Sequence, residues 1–491
     1  MSGSGHPRRP GLGGPPETGL TRRESTGKAL FLRMDSDLDR AAGGRRSLGG
    51  VIGMDSGTLD LSTFPELPGR GALITDGDEL HASDLGNLVD RRPAAILRPR
   101  STTDIAVAAA WCCRNGVPLR AHGTLHTTGG QALCPSGGIQ VDMRSLDLIH
   151  AVTDDHADVE AGVLLRDVVW HAWLRGRRLT SGPTGYLQLS TGGVLSVGGI
   201  SSLHREGAII DRVQAVEVVT PSGAVRWCTP ERNGELFNAV LGGLGCAGII
   251  TRARLALTPV SPLTRVYDLH FPSLQEAVRA ARVLVRRGEV DDLLIRWFAP
   301  QRHRYQLRFT AYHRADRKPD DAHLLRGLGV TAQIWDVSYW EFATSTDNRY
   351  EPFVTAGWNR VHKVWADYFM PDSALDEFLA GTAPEITDLD LSETSIGLLF
   401  PHRRASFSRP GLRLPDDELV WLFDMFSDAA GQTDPFWLPD RLRRNQRWHR
   451  RAAELGGTLY PIGTDLDPAS HDLVLAHPAR MSFAQEDQCL R

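Results

Sequence analysis

Cysteine is scarce in this chain and follows no pattern. Six residues, Cys112, Cys113, Cys134, Cys228, Cys246 and Cys489, are spread over 491 positions with no CxxC spacing. Zinc and thioredoxin chemistry therefore have no support, no metal is expected, and reduced thiols are the plain reading. Long apolar runs are lacking as well. No stretch of about 18 apolar residues occurs, so neither a membrane span nor a membrane partner is expected. Charge of one sign is equally absent. The formal net charge is −4, which gives no reason to expect a nucleic-acid partner. What the chain does have is ordinary globular material, 41% hydrophobic and 23% charged. At this length that is enough for two or more domains.

The first fifty residues differ from the rest. They hold eleven glycines, four prolines and three Arg-Arg pairs, with little apolar periodicity. Such a segment cannot bury enough surface to offset its ordering entropy, so residues 1–57 read as disordered. Arg22-Arg23 invites comparison with a twin-arginine export signal, but no apolar region of 7–15 residues follows it. The expected location is cytoplasmic, with export as the alternative.

Ordered pattern begins near Thr58. Ala95–Pro99 reads as a strand, and Ser101-Thr-Thr-Asp104 opens an alanine-rich helix that stops at Asn115-Gly116. Strands follow at 117–121, 138–142 and 158–162, then a helix at 164–174. Pro221-Ser-Gly223 marks a hairpin turn between 213–220 and 224–228. A helix at 235–241 and a strand at 249–257 close the unit. After Thr258-Pro-Val-Ser-Pro262 the texture changes to strands at 266–271, 292–298, 305–312 and 334–342 with a helix at 273–287. This reads as an antiparallel sheet with helices on one face. Helices are expected at 416–429 and 440–455. The second carries six arginines and reads as a solvated basic face.

Three glycine-rich loops fall within about 130 residues: Gly123 to Gly130, Gly182 to Gly199 and Gly242 to Gly248. Glycine lets backbone N–H groups crowd around a phosphate because no Cβ blocks the approach. One such loop is weak; three between extended segments suggest a long diphosphate cofactor held by backbone. The nominal dinucleotide fingerprint Gly243-Leu-Gly245-Cys-Ala-Gly248 lies after a helix and before a strand, the reverse of a Rossmann turn. A nicotinamide site is therefore not expected there.

Several strings carry a resemblance. They are His126-Thr-Thr-Gly-Gly-Gln-Ala132, Thr191-Gly-Gly-Val-Leu-Ser196 with Gly199-Ile-Ser201, and Glu235-Leu-Phe-Asn-Ala-Val-Leu-Gly-Gly-Leu-Gly245 running into Gly248-Ile-Ile-Thr-Arg-Ala-Arg254. The stretch from about Ala94 to Leu257 resembles the FAD-binding domain of the vanillyl-alcohol oxidase type. Within it, the chain is most similar to the cytokinin dehydrogenase branch and its bacterial relatives. The resemblance implies an α+β protein: an FAD-binding domain over 58–260, a substrate cap over 261–454, and a return to the FAD-binding domain over 455–491. It implies FAD attached through His126 to the flavin 8α carbon. The family loop reads Arg-Gly-x-Gly-His where this chain has Arg120-Ala-His-Gly-Thr-Leu-His126, so His122 stays open as a competitor.

The same resemblance carries further positions. Gly123, Thr124, Leu125, Thr127 and Gln131 would lie along the flavin or its phosphates. Gly185, Gly192, Gly193 and Gly199 would give close backbone approach, and Ser190 and Ser196 would offer hydroxyls to the pyrophosphate. Ile200, Ile250 and Tyr460 would touch the cofactor, and Tyr186 is the active-site candidate beside the flavin. Three departures stand out. Gln188 occupies the place of a second, cysteine attachment. Thr184-Gly-Tyr-Leu187 lacks the aspartate that accepts a hydrogen bond from the substrate amine in cytokinin dehydrogenases. The C-terminal strand of the family pattern is also missing. The expected reaction is oxidation of a C–H next to N or O in a small apolar or ring-containing molecule, with oxygen or another acceptor taking the electrons. The alternatives are a cytokinin dehydrogenase and a degenerate flavin-binding homologue without activity.

Overall fold

Three sheets, each built from a contiguous part of the chain, surround the region of the glycine loops. The computed structural model describes residues 59–75, 82–182, 186–297 and 305–464. The expected disorder of 1–57, the residues Thr184 and Gly185, and the atypical C-terminus beyond 464 lie outside the described residues.

The first sheet has the strands Ala72–Ile74 (β1), Ala95–Arg98 (β2), Leu119–His122 (β3) and Ile139–Asp142 (β4) in the order β1-β2-β4-β3. The β2/β4 and β3/β4 pairs are parallel. The crossover from β2 to β3 is helix Thr102–Asn115 (α1). Its limits are set locally. The Ser101 side chain accepts from the Asp104 N–H, and Gly116 ends the helix in the left-handed region at φ 63°. The Asp104 carboxylate accepts from the Gly69, Gly71 and Arg100 N–H groups and fastens the preceding strap to the helix start.

The second sheet contains Ile149–Val152 (β5), His156–Glu160 (β6), Arg177–Leu179 (β7), Val213–Val219 (β8), Val225–Cys228 (β9) and Ile249–Pro259 (β10). Its order is β5-β6-β10-β8-β9, with β7 also on β10. Helices Leu165–Trp173 (α2), Thr191–Val197 (α3) and Gly234–Val240 (α4) supply Val168, Leu195 and Phe237 to its core. The second glycine-rich stretch, expected as loop, therefore contains a two-turn helix. Its glycines made it read as loop, but Gly192 and Gly193 are its second and third residues, near the end where helical backbone bonding is incomplete anyway.

The third sheet is antiparallel throughout and eight-stranded. It comprises Leu263–Phe271 (β11), Leu293–Trp297 (β12), Tyr305–His313 (β13), Ala332–Ser338 (β14), Lys363–Pro371 (β15), Ile396–Arg403 (β16), Leu419–Asp428 (β17) and Thr458–Leu459 (β18), ordered β14-β11-β13-β12-β16-β17-β15-β18. The helices in this part are Leu274–Arg287 (α5), Asp321–Leu325 (α6), Tyr339–Ala343 (α7), Ser345–Thr355 (α8), Asp372–Thr382 (α9) and Trp437–Glu454 (α10). Side chains alternate across the sheet with period two. Tyr368, Trp421 and Phe423 pack under α5, α9 and α10. Phe369, Leu422 and Phe400 face the other way and join the core of the second sheet.

One element expectation is overturned here. Residues 416–429, expected as helix, form β17, and Val420 to Asp428 are buried throughout. A strand covered on both faces is apolar at nearly every position and loses the alternation that would identify it. Likewise 334–342 divides into β14 and α7 at Ser338, whose side chain accepts from the Glu341 N–H. The cysteine expectation is corrected at one position. Cys112, Cys134, Cys228 and Cys246 are free thiols, whereas Cys113 is disulfide-bonded. Disulfide pairing follows distances in the fold rather than sequence spacing.

Candidate active site

The first glycine loop leaves β3 at His122 and is held from two sides. A strap at residues 82–91 crosses it, with the Leu85 N–H donating to Leu125 O (2.9 Å) and the Gly86 N–H to Thr127 O (3.2 Å). The buried Asp84 carboxylate accepts from Thr127 Oγ1 and from the Gly130 N–H, both at 2.7 Å. Burial raises the Asp84 carboxyl above the usual range, and these bonds counter that rise. From the other side Gln131 Nε2 donates to Gly463 O (2.8 Å), and Thr128 Oγ1 donates to Ile462 O (3.3 Å). Between these anchors Leu125 sits at φ 56°, a conformation that costs a branched residue energy and persists only where its surroundings impose it.

The three glycine bends adjoin one another. A Cβ at Gly123 would fall 1.7 Å from Ser190 Oγ, so the first bend meets the second only because that residue is glycine. The third meets the second through the Gly242 N–H to Leu195 O and the Leu244 N–H to Ser196 O, both 2.8 Å. Arg120 Nη1 donates to Leu244 O at 2.9 Å and ties the third bend to β3. All three line one cavity of about 570 Å³. Gly123, Thr124, Leu125, His126, Thr127, Gln131, Tyr186, Ser190, Gly192, Gly193, Ser196, Gly199, Ile200, Ile250 and Tyr460 all face it, and Gly185 lies outside the described residues. Ser196 Oγ donates to Gly192 O (2.8 Å), and Tyr460 OH accepts from the Gly199 N–H (3.2 Å).

His126 is boxed by aromatics. Its ring stacks on Tyr186 at 4.6 Å and meets Trp365 edge-on at 5.8 Å. It is half-buried and lines the cavity. Burial, assisted by the nearby Lys363 ammonium, lowers its pKa to about 4, so the imidazole is neutral at physiological pH. Lys363 is itself buried. Its Nζ donates to Trp358 O (2.8 Å) and Val361 O (2.9 Å), and burial brings its pKa down to about 8. His122 also borders the cavity, but its ring is engaged elsewhere. Nδ1 lies 2.8 Å from Gly123 O, and Nε2 is 3.9 Å from Asp142 Oδ1.

The opposite wall comes from the third sheet. Asp292, Leu294, Arg296, Trp365, Leu422 and Asp424 face the same cavity. Sequence reasoning missed this wall. The available signals were single polar residues inside apolar strand runs, Arg296 after Leu293-Leu-Ile295 and Asp424 after Val420-Trp-Leu-Phe423. Burial and the neighbouring Arg308 push the Arg296 guanidinium down to about 9. Glu206 and Asp211, the carboxylates nearest in sequence to the missing aspartate, do not line the cavity. Glu206 pairs with Arg212 (3.2 Å), and Asp211 accepts from the Ser408 and Arg409 N–H groups. The arginines of α10 meet carboxylates rather than solvent alone. Arg441 and Arg444 converge on buried Asp390, Arg447 pairs with Glu385 and Arg451 with Glu377.

The donor set fits a dinucleotide. Bare backbone from three bends, the hydroxyls of Thr124 and Ser190, and the Arg120 guanidinium line one side of a continuous cavity. The FAD binding domain family matches residues 93–229. Cytokinin dehydrogenase 1 of Oryza sativa subsp. japonica is 32% identical over 381 residues, covering 65% of this chain and 70% of that protein. The chain belongs to the cytokinin dehydrogenase family of FAD-binding oxidoreductases. Cytokinin dehydrogenase 4 of the same plant is 30% identical over 420 residues, with 74% and 78% of the two chains covered. An uncharacterized oxidoreductase of the fasciation locus of Rhodococcoides fascians is 28% identical over 396 residues, covering 78% and 89%. As a member of this family the protein is an FAD-linked oxidase or dehydrogenase. Among the described residues no helix is long and apolar enough to cross a membrane.

Proposed function

We propose that this family member oxidises a small, ring-containing molecule at a C–H next to nitrogen or oxygen, with FAD tethered through His126. The observation that carries the reading is the placement of His126. It is a neutral imidazole in an aromatic box, in the one cavity that all three glycine bends line. A nucleophilic imidazole must be unprotonated, and burial beside Lys363 keeps it so. His122, turned toward Gly123 O and Asp142, is the poorer tether.

When bound, FAD supplies the hydride acceptor; the chain supplies position and electrostatics. The strap through Asp84 fixes the His126 loop. Ser190 and the bare bends receive the diphosphate. Tyr186, stacked on His126, forms a side wall. The apolar residues Leu398, Phe400, Leu422 and Phe426 of β16 and β17 make a floor suited to a planar substrate and exclude water. Oxygen or another acceptor then takes the electrons.

Acid precipitation tests the tether. The parent protein is expected to give a yellow pellet, His126→Ala a colourless one and His122→Ala a yellow one. A yellow His126→Ala pellet overturns the assignment. A second reading, cytokinin dehydrogenase activity proper, is favoured by the names of the relatives and disfavoured by Gly185 standing where the substrate-binding aspartate is expected. Rapid reduction of a dye acceptor with isopentenyladenine would support it. A colourless protein that takes up no FAD would leave only a degenerate homologue.

A further inference from the structure

The cavity has two carboxylates on its wall among the described residues, Asp292 and Asp424. Asp292 is engaged by three hydroxyls, accepting from Ser202 Oγ (2.5 Å), Thr310 Oγ1 (2.9 Å) and Tyr312 OH (2.6 Å). Asp424 has one donor, Trp365 Nε1 at 2.8 Å, the same indole whose ring meets His126. Its remaining acceptor positions are open to the cavity. Directly opposite Asp424 in the β15/β17 register stands Asp367. Opposed residues of an antiparallel pair project from the same face, with Cβ atoms about 5 Å apart. Asp367 is fully buried and neither of its carboxylate oxygens has a hydrogen-bond partner.

Two carboxylates in this position cannot both carry charge. Among the described residues no lysine or arginine pairs with either. The groups around them are an indole, two phenols, an amide and one imidazole. Trp365 and Tyr460 lie on one side, and the Tyr460 N–H donates to Asp367 O at 3.1 Å. Tyr350 of α8 lies toward Asp424, and Asn445 and His449 of α10 border Asp367. Burial raises both carboxyls, and the charge of Asp424 raises Asp367 further.

We propose that Asp424 and Asp367 share one proton, and that Asp424 is the catalytic base that this chain uses in place of the missing aspartate. The role rests on the hydride-transfer reading above. As the substrate C–H bond breaks, its two electrons leave with the hydride to the oxidised flavin. The adjacent C–N or C–O bond becomes double, and the N–H or O–H proton passes to Asp424. Burial keeps Asp424 basic enough near neutral pH to accept it; Asp367 is a positioning residue that holds the shared proton, so that Asp424 is the ionised partner of the pair. Asp347, another buried carboxylate, does not compete. It accepts from the Leu187 N–H (2.7 Å) and Gln188 Nε2 (2.9 Å) and does not face the cavity.

Infrared spectroscopy of the FAD-containing protein at neutral pH tests the pairing without any substrate. A protonated carboxyl band is expected. In Asp367→Asn the part that belongs to the pair titrates away as pH rises through about 7, because Asp424 alone is held up only by burial and keeps its indole hydrogen bond. The band persists at a shifted position in Asp424→Asn, because Asp367 alone stays buried. Anaerobic mixing with isopentenyladenine and with a panel of primary amines and alcohols tests the transfer. With the compound that bleaches the yellow colour fastest, Asp424→Asn slows bleaching about 10²–10⁴-fold, while dithionite bleaches variant and parent alike. Asp367→Asn, which removes the shared proton, shifts the pH profile of bleaching to higher pH. No carboxyl band in the parent, or parental bleaching in Asp424→Asn, overturns the proposal. A colourless protein that still shows the band, and its titration near pH 7 in Asp367→Asn, sinks the hydride-transfer reading and the base role with it, and leaves the pairing standing.

Discussion

The two walls of the cavity are made by different means. One is backbone: three glycine bends brought together by Gly123 against Ser190 and by Gly242 and Leu244 against α3. The other is side chain: Trp365, Asp424, Arg296 and a row of apolar residues projecting from one face of an eight-stranded sheet. The first suits a diphosphate, whose charge is met by N–H groups that any sequence provides once Cβ atoms are out of the way. The second suits the reacting molecule, which needs particular functional groups. On the proposed reading, one wall holds the cofactor and the other chooses the substrate, and they meet where Trp365 packs on His126.

The largest expected effect breaks the first wall alone. Gly123→Ala places a methyl carbon 1.7 Å from Ser190 Oγ and 2.8 Å from Ser190 Cβ, so Ser190 must turn and give way where the first two bends meet. FAD occupancy should fall about tenfold or more, as read from the ratio of flavin to protein absorbance. Ser190→Gly in the same chain should restore much of it. If Gly123→Ala keeps parental occupancy, contact between the bends does not govern binding.

A smaller effect is expected where the first wall is anchored. Asp84→Asn weakens the charge-assisted bonds to Thr127 and Gly130. About 1–3 kcal/mol of stability is at stake, because Asp84 Oδ1 accepts from the Gly86 N–H and Oδ2 from Thr127 and Gly130, and an amide NH2 in either place leaves a buried donor unpaired, an effect larger than the relief of the buried charge. Chemical denaturation of the apo- and FAD-containing forms separates the two contributions. The loss should be larger with FAD bound, since the anchored loop is the one that faces it. Equal losses would make Asp84 a general structural staple.

The smallest effect concerns pH. His204 and His402 are fully buried, and burial is the main cause lowering their pKa values to about 4 and about 3; His126 behaves alike. A base with a depressed folded pKa binds more protons unfolded, so its contribution is present above about pH 6.5 and is lost as pH falls toward 4. The raised carboxyls of Asp84, Asp367 and Asp424 act in the opposite direction as pH rises above 4. A melting series on His402→Leu isolates one term: its melting temperature should depend less steeply on pH between 6.5 and 4.5 than that of the parent. An unchanged slope would contradict the buried, neutral state of His402.

Much of the first wall could be read in the chain, because the information is local. The helix 102–115 is bounded by Ser101 and Gly116, the glycine loops announce themselves by composition, and the spacing from His126 to Gln131 places the histidine in its loop. The second wall could not. Asp424 and Asp367 are 57 positions apart and meet only through the β15/β17 register. The buried strand carrying Asp424 lacks the alternation that would have marked it as a strand, so residues 416–429 read as helix. Asp84 was missed for a related reason: it acts on a loop more than forty residues downstream and no local pattern announces it.

The most direct measurement is fragment-ion mass spectrometry of the protease-released peptide that spans residues 121–144. The account predicts a peptide heavier by one covalently bound flavin, with fragments that place the added mass on His126. Flavin mass on His122, or a peptide without added mass from a protein that is yellow and active, would contradict it.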